Sequence, residues 1–289
     1  MVKRIFFGLL CAAGGITMLA LRNTFLFIIA AAVVCFLIVF ELNHAIGIKN
    51  KPIMVISLIA GTIFPVYCAY RNEIENFLPF NFKAQYLICL YIILLFILML
   101  FEFEKTKFQD VASVIIASLG LPYAVTRFLF FRDIADYFPD RGYTDSYGLF
   151  LILFAMFAAW LTDTGAYFTG SFLGKHKLCP NISPKKTVEG AVGGVVVCII
   201  SNVILYAVFD NLVFETPSNS YLTVIILSAV LSVISMCGDL SASVVKRNFG
   251  IKDFGKLVPG HGGVMDRFDS EVFVLVAFYA IFNIFEVSM

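Results

Sequence analysis

Charge is scarce in this sequence: Asp, Glu, Lys and Arg make up 14% of 289 residues, against 60% hydrophobic ones. That balance argues against a soluble protein. The net charge is only +1, so there is no overall field to attract nucleic acid, and any basic character is local. No Cys-x-x-Cys pair occurs among the seven cysteines, Cys11, Cys35, Cys68, Cys89, Cys179, Cys198 and Cys237. Metal-thiolate and disulfide chemistry are therefore poor readings, and most of these cysteines read as small hydrophobes in apolar runs. A soluble domain, a low-complexity tail, a long linker and an internal repeat are also lacking. No clear small-x-small cleavage site closes the run after Lys3 and Arg4, and more spans follow, so it reads as a first membrane span rather than a signal peptide.

What is present is hydrocarbon. Mean hydropathy is +0.91, and 32 residues are Phe. A spanning helix needs about 20 mostly apolar residues. Runs of that kind cover residues 5–21, 24–41, 53–70, 85–101, 111–131, 147–170, 190–209, 221–240 and 269–288. The expected fold is an all-α, polytopic integral membrane helical bundle of about nine transmembrane helices. Residues 1–289 read as a single membrane domain, with scaffold spans in 1–146 and the chemistry-bearing spans and loops in 147–289. The first five spans look hydrophobic all round, and the polar loop 132–146 is assigned no chemistry. Alternation of the loops puts Lys3, Arg4, Lys49, Lys51, Lys105, Lys107, Lys175, Lys177, Lys185, Lys186, Lys246, Arg247, Lys252, Lys256 and Arg267 on one side. These are fifteen of the 21 basic residues, which by the positive-inside rule makes that side, and the N-terminus, cytoplasmic and the C-terminus external.

Against this background two stretches stand out. The first runs from Gly238 to Asp269 and carries Lys246, Arg247, Lys252, Lys256 and Arg267 beside Asp239, Asp253, Asp266 and Asp269. Charge beside hydrocarbon is costly and marks a site or an interface anchor. A helix through this start places Asp239, Ser243 and Arg247 on one face, with Lys246 close to it. Asp266 and Asp269, three apart, share a face at the start of the last span. Paired carboxylates near lysines suit magnesium and phosphate, and they equally suit a sealed set of salt bridges.

The second stretch runs from Trp160 to Gly190. Asp163 follows an apolar run and belongs in or near the membrane, with Gly165, Gly170 and Gly174 around it to allow close packing or a break. In Ser183-Pro184-Lys185-Lys186-Thr187-x-Glu189, Ser is a good N-cap and Pro suits a first helical turn, so a helix is expected to start there. Its free N–H groups, with Lys185 and Lys186, make either a phosphate cradle or an interfacial helix touching anionic headgroups.

Both stretches resemble one family. Ser243-x-Val245-Lys246-Arg247, then Lys252-Asp253-x-Gly255, then Pro259-x-His261-Gly262-Gly263-Val264-x-Asp266-Arg267-Phe268-Asp269 looks like the signature of the phosphatidate cytidylyltransferases. Val258 stands where Ile, Leu or Phe is usual, a swap that keeps an apolar contact. Asp163-Thr164-Gly165-Ala166-Tyr167, Gly174-Lys175-His176-Lys177 and Ser183 to Gly190 are similar to the same family. The specific resemblance covers about 60 residues of the 289.

The resemblance implies synthesis of CDP-diacylglycerol and pyrophosphate from CTP and phosphatidic acid, with Mg²⁺ and room for a second, monovalent cation, in a homodimer. It implies metal ligation by Asp239 and Asp266, with Asp269 and Asp163 next in line. It implies catalysis by Asp239, Asp266, Lys246 and Arg267. Substrate binding falls to Ser183, Lys185, Lys186, Thr187, Arg247, Lys252, His261, Gly262 and Gly263. His261 reads as a phosphate or loop-ordering contact before a general base, because a phosphate monoester is already anionic at neutral pH, its second pKa being about 6. His176 is expected to face solvent or a headgroup, and His44 to be structural. Two other classes compete: another CTP-using lipid enzyme, such as a polyprenol kinase, which would share the charge clusters, and a transporter, which would show charge in both halves.

Overall fold

In the computed structural model, residues 13–77, 83–213, 220–258 and 262–285 are described. The protein is mostly helical. Among the described residues, eight helices are long and apolar enough to cross a membrane. They are α1 (Phe25–Ile46), α2 (Lys51–Ala69), α3 (Ala84–Phe101), α4 (Phe108–Arg132), α5 (Asp145–Leu173), α6 (Val188–Leu212), α7 (Tyr221–Asn248) and α8 (Met265–Phe285). They coincide with eight of the nine expected spans. Residues 5–12 of the first, 5–21, lie outside the described residues, and of its described part, 13–21, residues 13–20 are helical. One element departs from an all-helical bundle: β1 (Lys177–Cys179) pairs antiparallel with β2 (Ser183–Thr187).

The chain packs as two compact units, Met1–Leu129 with Asp253–Asp266, and Phe130–Lys252 with Arg267–Met289. In the first unit, α1 stops at Gly47, whose left-handed backbone (φ 79°) lets its N–H reach the carbonyls of Asn43 and His44, an end that glycine makes at low cost. α2 starts at Asn50, whose side chain accepts the Ile53 N–H at 3.1 Å and donates to Thr106 Oγ1 at 3.0 Å. Ile53, Leu95, Val111 and Val114 are fully buried together. α4 is interrupted by a π-turn over Ile116–Gly120, just before Pro122; such turns mark a break in the regular ladder. On α3 only Leu95 is buried, and much of the helix's apolar surface is exposed, as on a lipid-facing helix.

The second unit has an aromatic core. Phe278 packs against Phe131 at 4.7 Å and Phe154 at 5.4 Å between ring centroids, and all three are fully buried. A short polar stripe crosses the helices beside it, where the hydroxyls of Thr162 and Ser232 meet at 2.9 Å. α5 and α6 lie unusually close. A Cβ added to Gly194 would stand 2.8 Å from the Thr162 carbonyl oxygen, and one added to Gly190 would stand 2.7 Å from that of Ala166. Small residues of this kind let membrane helices approach backbone to backbone, and here they fix the base of the hairpin between α5 and α6.

Gly194→Val should force this crossing apart at a cost of about 1–3 kcal/mol. Thermal unfolding of the purified protein in detergent should show a lower midpoint for Gly194→Val. Gly14→Val, at a glycine with nothing within 4 Å, should leave it unchanged.

Candidate active site

The hairpin corrects one expectation. Ser183 and Pro184 do not start a helix; they open β2, and the helix begins five residues later at Val188. Two local interactions decide this. Thr187 is the N-cap, its buried hydroxyl accepting the Gly190 N–H at 3.1 Å. Glu189, in the first turn, accepts the backbone N–H groups of Lys175 at 3.1 Å and His176 at 3.2 Å, and also pairs with the His176 ring at 2.6 Å. These bonds tie the start of the hairpin to the start of α6. Pro184 lacks an N–H, and a two-stranded ribbon tolerates this because each strand has an open edge. Lys185 and Lys186 therefore sit on a strand just ahead of the helix rather than in its first turn. His176 is exposed, as expected, although it carries the Glu189 contact as well.

α7 is helical through Asn248, so Asp239, Ser243 and Arg247 share a face as anticipated. The Lys186 ammonium reaches Asp239 at 2.5 Å. That pair joins the Ser-Pro-Lys-Lys stretch to the start of the Gly238–Asp269 stretch, some fifty residues further along the chain. α7 and α8 cross closely at Gly238, where a Cβ would stand 3.0 Å from the Asp269 carbonyl oxygen. The crossing brings Asp239 and Asp269 near each other. Lys246 pairs with Asp269 at 3.6 Å, with both side chains largely buried. Ser270 Oγ donates to Asp163 at 3.2 Å.

Asp163, Asp239 and Asp269 thus lie close enough to repel one another, with Lys186 and Arg267 attracting Asp163 and Lys246 attracting Asp269. Glu271 adds a fourth acid on α8. It is only 1% exposed, and neither of its carboxylate oxygens has a hydrogen-bond partner among the described residues. Sequence reasoning missed Glu271, although an acid at the edge of an apolar span, two residues past Asp269, is a signal in itself.

The remaining candidates fall in several places. Lys185, Arg247, Lys252 and Arg267 are exposed, and Ser183 is half-buried. Asp266, Gly262 and Gly263 belong to the first unit. There Asp266 Oδ2 accepts the N–H of Phe254 at 2.8 Å and of Gly263 at 3.0 Å. Gly262 has φ 85°, and the Val258 N–H reaches its carbonyl at 2.9 Å, which closes the loop. His261 lies outside the described residues. Among the described residues, no three or more His, Cys, Asp or Glu side chains converge as ligands on one point. Magnesium does not require such a cage, since it takes one or two carboxylates and completes its shell with water and phosphate oxygens. Hard oxygen donors, in excess over the cations paired with them and with the orphaned Glu271 beside them, fit a divalent cation in the second unit.

Eight helices among the described residues, each long and apolar enough to cross a membrane, define a multi-pass membrane protein. Within that class the chain belongs to the cytidylyltransferase family, whose model matches residues 2–285. It is similar to a protein of Bacillus subtilis (strain 168) called phosphatidate cytidylyltransferase, with 43% identity over 149 residues, 52% of this chain and 53% of that one. Proteins of the same name from Staphylococcus saprophyticus subsp. saprophyticus and Staphylococcus aureus (strain COL) are 48% identical over 132 residues and 41% identical over 169 residues. Those matches cover 46% and 58% of this chain, and 48% and 57% of the relatives. The chain spans about half the length of the curated relatives it matches.

If Thr187 holds the start of α6, removing only its acceptor should weaken the protein. Thr187→Val should cost about 1 kcal/mol of stability while Thr187→Ser costs much less. Melting of the two variants in detergent, side by side with the parent, checks the order.

Proposed function

We propose that the protein is a phosphatidate cytidylyltransferase, joining CTP and phosphatidic acid into CDP-diacylglycerol with release of pyrophosphate. The observation that supports this best is the Lys186–Asp239 pair, which sets a basic hairpin against the acids of α7 and α8 at one end of an apolar bundle. A lipid phosphate can stay anchored by its acyl chains while a soluble nucleotide enters from the water.

In this reading an oxygen of the lipid phosphate attacks the α-phosphorus of CTP. A new P–O bond forms, the bond to the β-phosphate oxygen breaks, and the electron pair leaves with pyrophosphate. The attacking oxygen is already ionised at neutral pH, so no protein nucleophile is needed and catalysis is positioning and charge neutralisation. Lys246 and Arg267 neutralise charge building on phosphoryl oxygens. Lys185, Lys186, Arg247 and Lys252 hold the substrate phosphates, with Ser183 and Thr187 ordering the ends of the hairpin strand beneath them. The family resemblance adds His261, Gly262 and Gly263 to the substrate contacts. Asp239, Asp266, Asp269 and Asp163 would hold Mg²⁺. When bound, such an ion lowers the charge on the phosphate oxygens and orients them.

The reading extends to orientation: the basic loops and N-terminus are cytoplasmic and the C-terminus is external, supported by the uneven distribution of Lys and Arg. A homodimer and a monovalent cation beside magnesium rest on the family resemblance alone.

Purified protein given phosphatidic acid, Mg²⁺ and CTP labelled either in cytidine or at the γ-phosphate tests the proposal. Cytidine label should enter lipid with an equal amount of pyrophosphate released. EDTA should stop the reaction, and Asp266→Asn should slow it by at least about 10²-fold. Transfer of γ-label alone would mean a kinase instead. Uptake into vesicles without pyrophosphate release would mean a transporter. An Asp266→Asn rate equal to the parent would remove that residue from the site.

A further inference from the structure

Glu41 is the residue that an all-apolar reading of the N-terminal spans leaves unexplained. It lies in α1, six residues before the Gly47 stop, and is 3% exposed. A buried carboxylate is expensive unless donors answer it. One donor is on the page: the N–H of Met265 reaches Glu41 Oε2 at 2.9 Å. Met265 is the first residue of α8, so this carboxylate answers a helix start from 224 residues away in the chain. A helix start offers unpaired N–H groups and the positive end of a dipole, and an acid suits both.

Two glycines make room for Glu41. A Cβ built on Gly255 or on Gly263 would overlap the Glu41 carboxylate. Neither glycine has a positive φ, so space rather than backbone conformation requires glycine at both positions. Asp266 grips the same segment through the N–H groups of Phe254 and Gly263. Phe254, Gly255, Gly263 and Met265 are thus held between two carboxylates, Glu41 on one helix and Asp266 at the head of another. Glu41 Oε1 has no hydrogen-bond partner among the described residues.

We propose that Glu41 is a positioning residue for the reaction: by holding Met265 and filling the space left by Gly255 and Gly263, it fixes where Asp266 and the glycine loop stand. The inference rests on the function proposed above, in which Asp266 and that loop serve the substrates. Glu41 touches the loop and not the reacting atoms, so its removal acts through geometry. Partners one step removed from a site commonly change activity about 10- to 100-fold when lost.

The test uses the full-length protein with Glu41→Ala, Glu41→Gln, Glu41→Asp, Gly255→Ala and the pair Glu41→Asp with Gly255→Ala. Two readouts are taken: kcat and KM for CTP, and amide hydrogen exchange across residues 250–270. Glu41→Ala should lower kcat about 10- to 100-fold with a smaller change in KM. It should also speed exchange at the Phe254 and Gly263 amides while peptides from α3 stay unchanged. Glu41→Gln, which keeps a carbonyl acceptor for Met265, should recover most of the activity. Gly255→Ala should reproduce the defect, and shortening Glu41 to Asp in the same chain should relieve it, so the two changes combine non-additively. Unchanged kcat and exchange in Glu41→Ala would overturn the proposal. So would additive losses in the pair, or losses that merely follow the folded fraction on size exclusion. Should the parent itself be inactive, the proposed function fails, while the exchange readout still decides whether Glu41 orders the loop.

Discussion

The Lys186–Asp239 ion pair is the contact on which the second unit's chemistry depends. In an apolar bundle each charge must be met at short range or be neutralised. Asp239 meets Lys186 at 2.5 Å and Asp269 meets Lys246 at 3.6 Å. Neither pair can form unless the backbones come close. Glycine at 238 brings α7 against the Asp269 backbone, and glycines 190 and 194 bring α6 against α5. Thr187 and Glu189 then fix where the hairpin leaves α6, which sets the position of Lys186. The ion pair is thus the last link in a sequence that begins with small residues at helix crossings.

Much of the fold could be read in advance because it depends on hydropathy over long windows. The bounds of α3, α4 and α7 fall within three residues of the expected starts, and α3 ends where expected at Phe101. The helix phase of Asp239, Ser243 and Arg247 was readable for the same reason: a regular helix leaves no freedom in which residues share a face. The hairpin was not readable. Ser-Pro is a fair helix start, and so is the Thr187 four residues on; what decides between them is Glu189 reaching back to Lys175 and His176, a contact across fourteen residues that no local pattern records. Asp163, Asp239 and Asp269 were singled out from their motifs, but the resemblance paired Asp239 first with Asp266, and no motif says which of the acids lie together. Glu41 was passed over although it stands alone in an apolar run, where isolation should itself have been the signal, and Glu271 because the resemblance stops at Asp269, two residues before it. The π-turn in α4 has no sequence cue beyond the nearby Pro122.

Family membership and geometry inform different parts of the account. The family match runs over nearly the whole chain, whereas the curated relatives align over about half of it, so the substrates are a proposal and the membrane fold is not. The physics favours a reaction with little covalent work for the protein. The described site offers cations and carboxylates in close array and no activated nucleophile–base pair, which suits phosphoryl chemistry driven by positioning and electrostatics.

The most direct measurement of the central claim is proximity between the hairpin and α7 in the native membrane. With the seven native cysteines replaced by alanine, Lys186→Cys and Asp239→Cys are introduced together and treated with a short bifunctional thiol reagent. The account predicts an intramolecular crosslink, identified by mass spectrometry as one peptide pair joining residues 186 and 239. Efficient crosslinking of a control pair at 243 and 247 on α7, with none between 186 and 239, would contradict it.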